Sequence, residues 1–279
     1  LACEAMELGC HVFLEKPFAL DAAGTRRILD AAQATRRRIG VNYLYNFETP
    51  GLQLRDLMAE HALGDVVHVD TSYGYNLGGD YGIAVMGDPA HWVHRLPGKL
   101  FHNVLDHVLA KVVPFLEEPV VVNAFAHRMR QASGDPALDA MPDELRFTLA
   151  GANGTTVSGM VSSHARPVSH AMKVYGTRDT VELDYAARTL VRSARQDQPS
   201  ALGRLFPAWV QALRFARSGA KNTGDFMHNR FHYFQCMRVL LGGFYDAIEG
   251  KGEDPVPHAH ILRVATVIDG IVEALERPA

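Results

Sequence analysis

The stretch "CHVFLEKPFALD", Cys10 to Asp21, constrains the fold of this chain more than any other. Four apolar residues run into Glu15-Lys16-Pro17. Pro17 cannot donate a ladder hydrogen bond, so the strand over His11–Leu14 must stop there. Asp21 then suits the N-cap of a helix reaching about Arg38, with Ile28, Leu29 and Ala32 on one face. Upstream, Leu1–Leu8 has helical composition and Gly9 suits its C-cap. Downstream, Gly40 ends the second helix and "IGVNYLYNF" reads as a second strand. Helix, strand, helix, strand is the pattern of a parallel α/β layer. Lys16 therefore projects from the carboxyl end of a parallel strand, where open α/β sheets place their ligands.

The pattern then changes. Val66–Tyr73, Val120–Ala126, Leu145–Leu149, Thr155–Ser163, Ala171–Tyr175, Val181–Asp184 and Thr189–Arg192 read as strands with few helices between them. That argues for a mostly antiparallel sheet in an α+β unit. "TTVSGMVSSH" alternates as a strand with one buried and one open face does, while "GTRD" and "YAAR" read as turns. Residues 131–143 read as a polar loop, and residues 194–230 as a long insertion with a helix near Trp209–Arg217. Two helical stripes close the chain: Phe234, Met237, Leu241, Phe244 and Ile248, then Ile261, Val264, Ile268, Ile271 and Leu275.

Two places could carry chemistry. An ammonium at Lys16 can hydrogen-bond a hydroxyl and polarise the oxygen that loses its proton; it could equally be a surface lysine paired with Glu15. In "LPGKLFHNVLDHVLAKV", residues 96–112, Asn103 and His107 lie four apart on one helix face, with His102 and Asp106 on a neighbouring face. A histidine so placed can act as general acid or base, with a polar residue one turn back fixing its tautomer. It could also be a helix-face histidine satisfied by hydrogen bonds. His91 and His94 precede this helix, but without an HExxH motif or a cysteine pair no metal is expected. His258 and His260 flank a Pro-rich turn and are expected to face solvent.

A formal charge of −3, with no long block of like charge, gives no footprint for nucleic acid or an anionic membrane. Arg36-Arg37-Arg38 is expected simply to complement a helix C-terminus. Cys3, Cys10 and Cys236 show no CxxC spacing, and no apolar run approaches the roughly 18 residues that span a bilayer. A reducing, cytoplasmic setting is expected.

Taken together, these segments resemble the Gfo/Idh/MocA family, the glucose-fructose oxidoreductase and inositol dehydrogenase type of NAD(P)-dependent enzymes. "GCHVFLEKPFALD" is similar to its strand ending in Glu-Lys-Pro. "DPAHWVHRLPGKLFHNVLDH" is similar to its Trp-containing loop and Asp-x-Gly-x-His helix. "VYGTRDTVELDY" resembles its Gly-Thr hairpin, and "FYDAIEGKGEDPVPHAHILRVATVIDGIVEAL" its closing segment. The resemblance implies the C-terminal remnant of a Rossmann domain, residues 1–46. A large, mostly antiparallel open-sheet domain with helices on one face, residues 47–279, would follow, used for substrate binding and homo-oligomerisation.

The resemblance further implies a hydride transfer between NAD or NADP and a hydroxyl or keto carbon of a sugar, cyclitol or related polyol. Lys16 matches the catalytic or cofactor-contacting lysine, and His107 the acid/base histidine. Glu15, Lys16 and Pro17 would form the nicotinamide side of the cofactor site. Asn103 stands where the family has aspartate, Leu105 where it has glycine, and Ala110 where it has a second aspartate; an arginine common near Asn42 is replaced within "YLYNF". No GxGxxG follows a first strand, so the phosphate-binding turn is expected upstream of Leu1 and the chain is expected to be N-terminally truncated. A different reading, from Asn103 and that missing turn, is a non-catalytic sheet domain used for ligand binding or assembly.

Overall fold

A computed structural model describes residues 1–193, 201–232 and 234–277. The first helix, α1 (Ala2–Glu7), ends ahead of Gly9 and leads into strand β1 (Val12–Leu14). The Asp21 side chain accepts from the Gly24 amide at 2.5 Å and starts α2 (Ala22–Thr35). That helix stops three residues short of the expected Arg38, with Arg36 left-handed at φ 54°. The shortening lets Arg38 open the ladder: its amide donates to His11 Nδ1, and its carbonyl accepts from Val12. Arg38 itself pairs with Asp254 at 3.0 Å rather than with the helix end.

Strand β2 (Ile39–Val41) pairs in parallel with β1. It is also shorter than "IGVNYLYNF" suggests. Asn42 N still bonds the Leu14 carbonyl, but β1 has no ladder to offer once it reaches Pro17. Leu44–Phe47 therefore coils into a 3₁₀ turn that feeds α3 (Thr49–Ala59).

Next come β3 (Val66–Gly74), α4 (Asp80–Gly87), a 3₁₀ turn at Trp92–Arg95, and α5 (Lys99–Val112). The remaining strands are β4 (Val120–His127), β5 (Glu144–Ala150), β6 (Thr156–Ser162), β7 (His170–Gly176), β8 (Thr180–Asp184) and β9 (Thr189–Arg192). A single helical turn, α6 (Pro136–Asp139), lies within the expected 131–143 loop. The sheet order is β4-β5-β6-β3-β7-β8-β9, and only β3–β6 is parallel. Alternation sends Val69, Leu145, Leu149, Val157, Val174 and Val181 into the core. The opposite face is polar, with Asp70, Lys173 and Glu182 side by side across β3, β7 and β8. Gly159 lies directly across from Phe147, and a Cβ there would overlap the phenyl ring.

Helix α5 packs against β3, β6 and the last helix. Leu100, Phe101, Val104, Leu105, Val108, Leu109 and Val112 are all buried, each worth roughly 1.5–3 kcal/mol. A helix apolar on nearly every face can only sit inside; its few polar side chains are therefore placed with little freedom.

The chain closes with α7 (Ala201–Met227), α8 (Gln235–Ile248) and α9 (His258–Glu276). Helix α7 is far longer than the expected Trp209–Arg217 segment and lies along β9, Arg214 donating to the Arg192 and Ser193 carbonyls. Residues 194–200 of the expected insertion lie outside the described residues. The buried stripe of α8 is Cys236, Leu240, Phe244 and Ala247; it shares Phe244 with the expected stripe, while Met237, Leu241 and Ile248 are half-buried and Phe234 is 68% exposed. Phe244 meets Phe13 edge-on at 5.4 Å and anchors the helix against β1. A Cβ on Gly40 would stand 2.8 Å from Phe13 and 3.0 Å from Phe244, so glycine permits this close approach. Helix α9 buries the expected Ile261, Val264, Ile268 and Ile271, and its Asp269 accepts from the Ala22 amide at 2.8 Å.

Candidate active site

Pro17 stops β1, and Lys16 leaves its carboxyl end toward α5. The Lys16 ammonium donates to the Asn103 carbonyl at 2.7 Å and to Asn103 Oδ1 at 3.0 Å. The other end of that amide donates to the Tyr81 hydroxyl at 3.0 Å. Asn103 thus spends its side chain on Lys16 and Tyr81, not on the tautomer of His107. Glu15 does not pair with Lys16 as a surface ion pair; it accepts from Asn42 Nδ2 at 2.9 Å and ties the ends of β1 and β2 together. Burial lowers the Lys16 pKa, opposed by the carboxylates of Asp106 and Glu15.

Asp106 is 2% exposed and faces Lys16 and Tyr43. Burial raises its pKa to about 6, while Lys16 and a hydrogen bond from Tyr43 oppose the rise. Tyr43 is in turn pushed well up by burial and by Asp106. His102, on the neighbouring face, is buried toward the Ala19 backbone, and burial lowers its pKa.

His107 lies between two tyrosines. Its ring meets Tyr45 edge-on at 5.0 Å and stacks on Tyr73 at 5.4 Å. Burial, then Lys16, then Lys111 hold its pKa well below the usual imidazole value. At neutral pH it is an uncharged base, the form that can accept a proton.

Lys111, one further turn along, joins the site unforeseen from the sequence. Asn103, His107 and Lys111 follow at i, i+4 and i+8 on one face, beside the neighbouring His102–Asp106 pair, and that spacing was the available signal. Lys111 is 4% exposed, bonds His170 Nε2 at 2.6 Å and lies 4.4 Å from the centre of the Tyr185 ring. Burial drives its pKa well down. His170, on β7, packs against Tyr45 at 4.2 Å and Tyr73 at 5.0 Å, so the two histidines share both tyrosines. Burial, Lys111 and His107 depress its pKa.

The outer wall is aromatic. Tyr75, Tyr81, His91 and Trp92 make successive ring contacts of 5.9, 5.8 and 5.7 Å, with Tyr81 38% and Trp92 42% exposed. Among the described residues, no group of three or more His, Cys, Asp and Glu converges as metal ligands. No helix among them is long and apolar enough to cross a membrane.

Two family profiles match the chain. Residues 1–43 match the oxidoreductase family with NAD-binding Rossmann fold, and residues 52–182 match the GFO/IDH/MocA C-terminal domain. A dTDP-3,4-didehydro-2,6-dideoxy-alpha-D-glucose 3-reductase of Streptomyces violaceoruber is 36% identical over 69 residues, 25% of this chain and 20% of that enzyme's length. Among solved structures, levoglucosan dehydrogenase with NADH and levoglucosan superposes with a TM-score of 0.74 at 20% identity, covering 98% of this chain and 73% of the other. The WlbA dehydrogenase of Bordetella pertussis, with NADH and UDP-GlcNAcA, gives 0.72 at 14% identity, covering 98% and 72%. At these identities the structural likeness speaks for the fold.

Proposed function

The chain belongs to the Gfo/Idh/MocA oxidoreductase family, and from that premise we propose that it serves hydride transfer between NAD or NADP and a hydroxyl or keto carbon of a sugar or polyol. The observation that carries this reading is that Lys16, at the carboxyl end of β1, bonds Asn103 one turn ahead of an uncharged His107 on the same face of α5. A ligand there lies where open α/β sheets bind nucleotides.

The residues present fit the nicotinamide end of such a cofactor. Lys16 has three ammonium protons and spends two on Asn103, which leaves one for a ribose or substrate oxygen. The bound nicotinamide supplies the hydride acceptor or donor. His107 takes the hydroxyl proton as the carbon is oxidised and returns it in the reverse direction. Lys16 stabilises the negative charge that grows on that oxygen, and Asn103 holds Lys16 in place. The Tyr75–Tyr81–His91–Trp92 wall offers flat apolar faces with polar edges, suited to the mixed surface of a pyranose.

In this reading residues 1–46 finish a dinucleotide-binding unit, and residues 47–279 form the substrate and assembly portion. We place the protein in the cytoplasm as a homo-oligomer joined through the open sheet, supported by the laterally paired polar face of β3, β7 and β8. A strict monomer in sedimentation would count against that assembly.

Asn103, uncharged where a carboxylate would support an imidazolium, favours a second reading as a non-catalytic sheet domain for ligand binding or assembly. Nicotinamide absorbance separates the two. It is followed over a panel of sugars and polyols, with the chain alone and with the chain fused behind a βαβ dinucleotide-binding unit. Sugar-dependent reduction of NAD or NADP by the fusion supports the enzyme; silence across the panel supports the second reading.

A further inference from the structure

Behind the candidate active site lies a second cavity of about 280 Å³, near the small end of the ~300–1,000 Å³ range of ligand pockets. Its walls are apolar, from Phe47, Leu54, Met58, Phe115, Met172 and Val256. Its polar side chains are two cations, the buried Lys111 and the exposed Arg55, with the neutral Asn46, Tyr185 and His260; Asn46 donates to the Ala110 carbonyl at 2.9 Å, and no carboxylate is among the described lining residues.

His260 corrects an expectation. It does not face solvent at the Pro-rich turn but is 8% exposed, its ring 5.9 Å from Tyr43. One ring nitrogen bonds the Ala110 backbone; Nε2 is buried with no partner. Burial and Arg263 lower its pKa to about 4, so the ring is neutral and Nε2 is an acceptor waiting for a donor. A buried polar atom left unsatisfied costs roughly as much as a lost hydrogen bond. A buried amine facing an apolar cavity with no counter-charge is equally unusual.

We propose that this cavity binds a small organic carboxylate with an apolar body, its carboxylate between Lys111 and Arg55 and a hydroxyl on the body donating to His260 Nε2. Lys111 completes its coordination on the other side through His170 and the Tyr185 ring. The charged and titratable groups around Lys111 are His170 on β7, His107 one turn back, Tyr45, Tyr185 after β8 with the Glu48–Arg188 pair behind it, and Arg55 and His260 across the cavity. A carboxylate entering this set pairs with Lys111 and favours its charged form, against the burial that disfavours it.

The occupant also reaches the first site. Lys111 bonds His170, which shares Tyr45 and Tyr73 with His107. An anion that fixes the charge on Lys111 would tune the proton affinity of His107. That effect on turnover rests on the oxidoreductase reading; the binding itself does not.

The test is calorimetric titration of the chain as it stands, without nicotinamide cofactor, using benzoate, benzamide and 4-hydroxybenzoate. Benzoate should bind at least about tenfold tighter than its uncharged amide. Lys111→Met should abolish the preference and Arg55→Gln should weaken it. Any gain of 4-hydroxybenzoate over benzoate should vanish in His260→Phe. Equal affinity for acid and amide, a preference that survives Lys111→Met, or no saturation at millimolar benzoate would overturn the proposal. Arg55 is exposed, so Arg55→Gln keeps the test decisive if Lys111→Met does not fold.

Discussion

Lys16 Nζ donates to both the carbonyl oxygen and the side-chain oxygen of Asn103, at 2.7 and 3.0 Å. One ammonium thereby joins the end of the parallel two-stranded sheet to the polar stripe of α5. Hydrogen bonds to charged groups are worth about 1.5–3 kcal/mol, enough to fix where both residues stand before any ligand arrives.

Asn103→Asp places a carboxylate against that ammonium and favours its charged form. The Lys16 pKa, lowered by burial in the native chain, should rise by roughly 1 unit or more. Lysine side-chain NMR across an alkaline titration reads this directly. An unchanged Lys16 titration would mean that the contact is not kept in solution.

Lys111→Met should raise the pKa of His107. Burial is its main depressant, with the positive charges of Lys16 and Lys111 following, and the variant removes one of those charges. His107 works as a base when neutral, so the acid limb of the pH–rate profile should move to higher pH. A limb that stays in place would show that Lys111 is uncharged or uncoupled from His107.

Asp106 makes a stability prediction. Its folded pKa of about 6 lies above the ordinary 3.8, so the folded state holds the proton over a window in which the unfolded chain has released it. The associated stability is complete below pH 3.8 and is lost as pH rises through about 6, a change of about 3 kcal/mol. Asp106→Asn should flatten the pH dependence of the urea midpoint across that window. At neutral pH it should stabilise the chain, less whatever attraction to Lys16 is lost.

Gly159→Ala should destabilise the sheet by about 1–3 kcal/mol, because the added methyl has only the Phe147 ring to move into. Phe147 is 3% exposed and cannot swing to solvent. Pairing the substitution with Phe147→Leu should recover part of the loss, read from urea unfolding midpoints.

How far the sequence could be read depends on where the deciding contacts lie. The strands of the large sheet follow from local alternation, and Val66–Tyr73, one residue short of the observed β3, or Thr189–Arg192 could be placed from residues alone. Local signals also mark Asp21 as a cap and Pro17 as a stop. What escaped depends on distant partners. The partner that α8 packs on through Phe244 is Phe13, more than 200 positions away. His260 is drawn inside by Tyr43 and Ala110. Asn103 is held by Lys16, and no i, i+4 rule on α5 could foresee that its amide would face the strand end instead of His107. Lys111 shows the converse: its spacing was visible, but a lysine on a helix reads as solvent-exposed until the packing on every side is known.

The most direct test of the central claim is sugar-dependent nicotinamide reduction by the fusion carrying a dinucleotide-binding unit, compared with its Lys16→Ala and His107→Ala variants. If Lys16 and His107 act on the substrate hydroxyl, each substitution should lower kcat by roughly 10²–10⁴-fold, and the loss in His107→Ala should shrink as pH rises and hydroxide takes the proton. Turnover that survives both substitutions would contradict the assignment of this site.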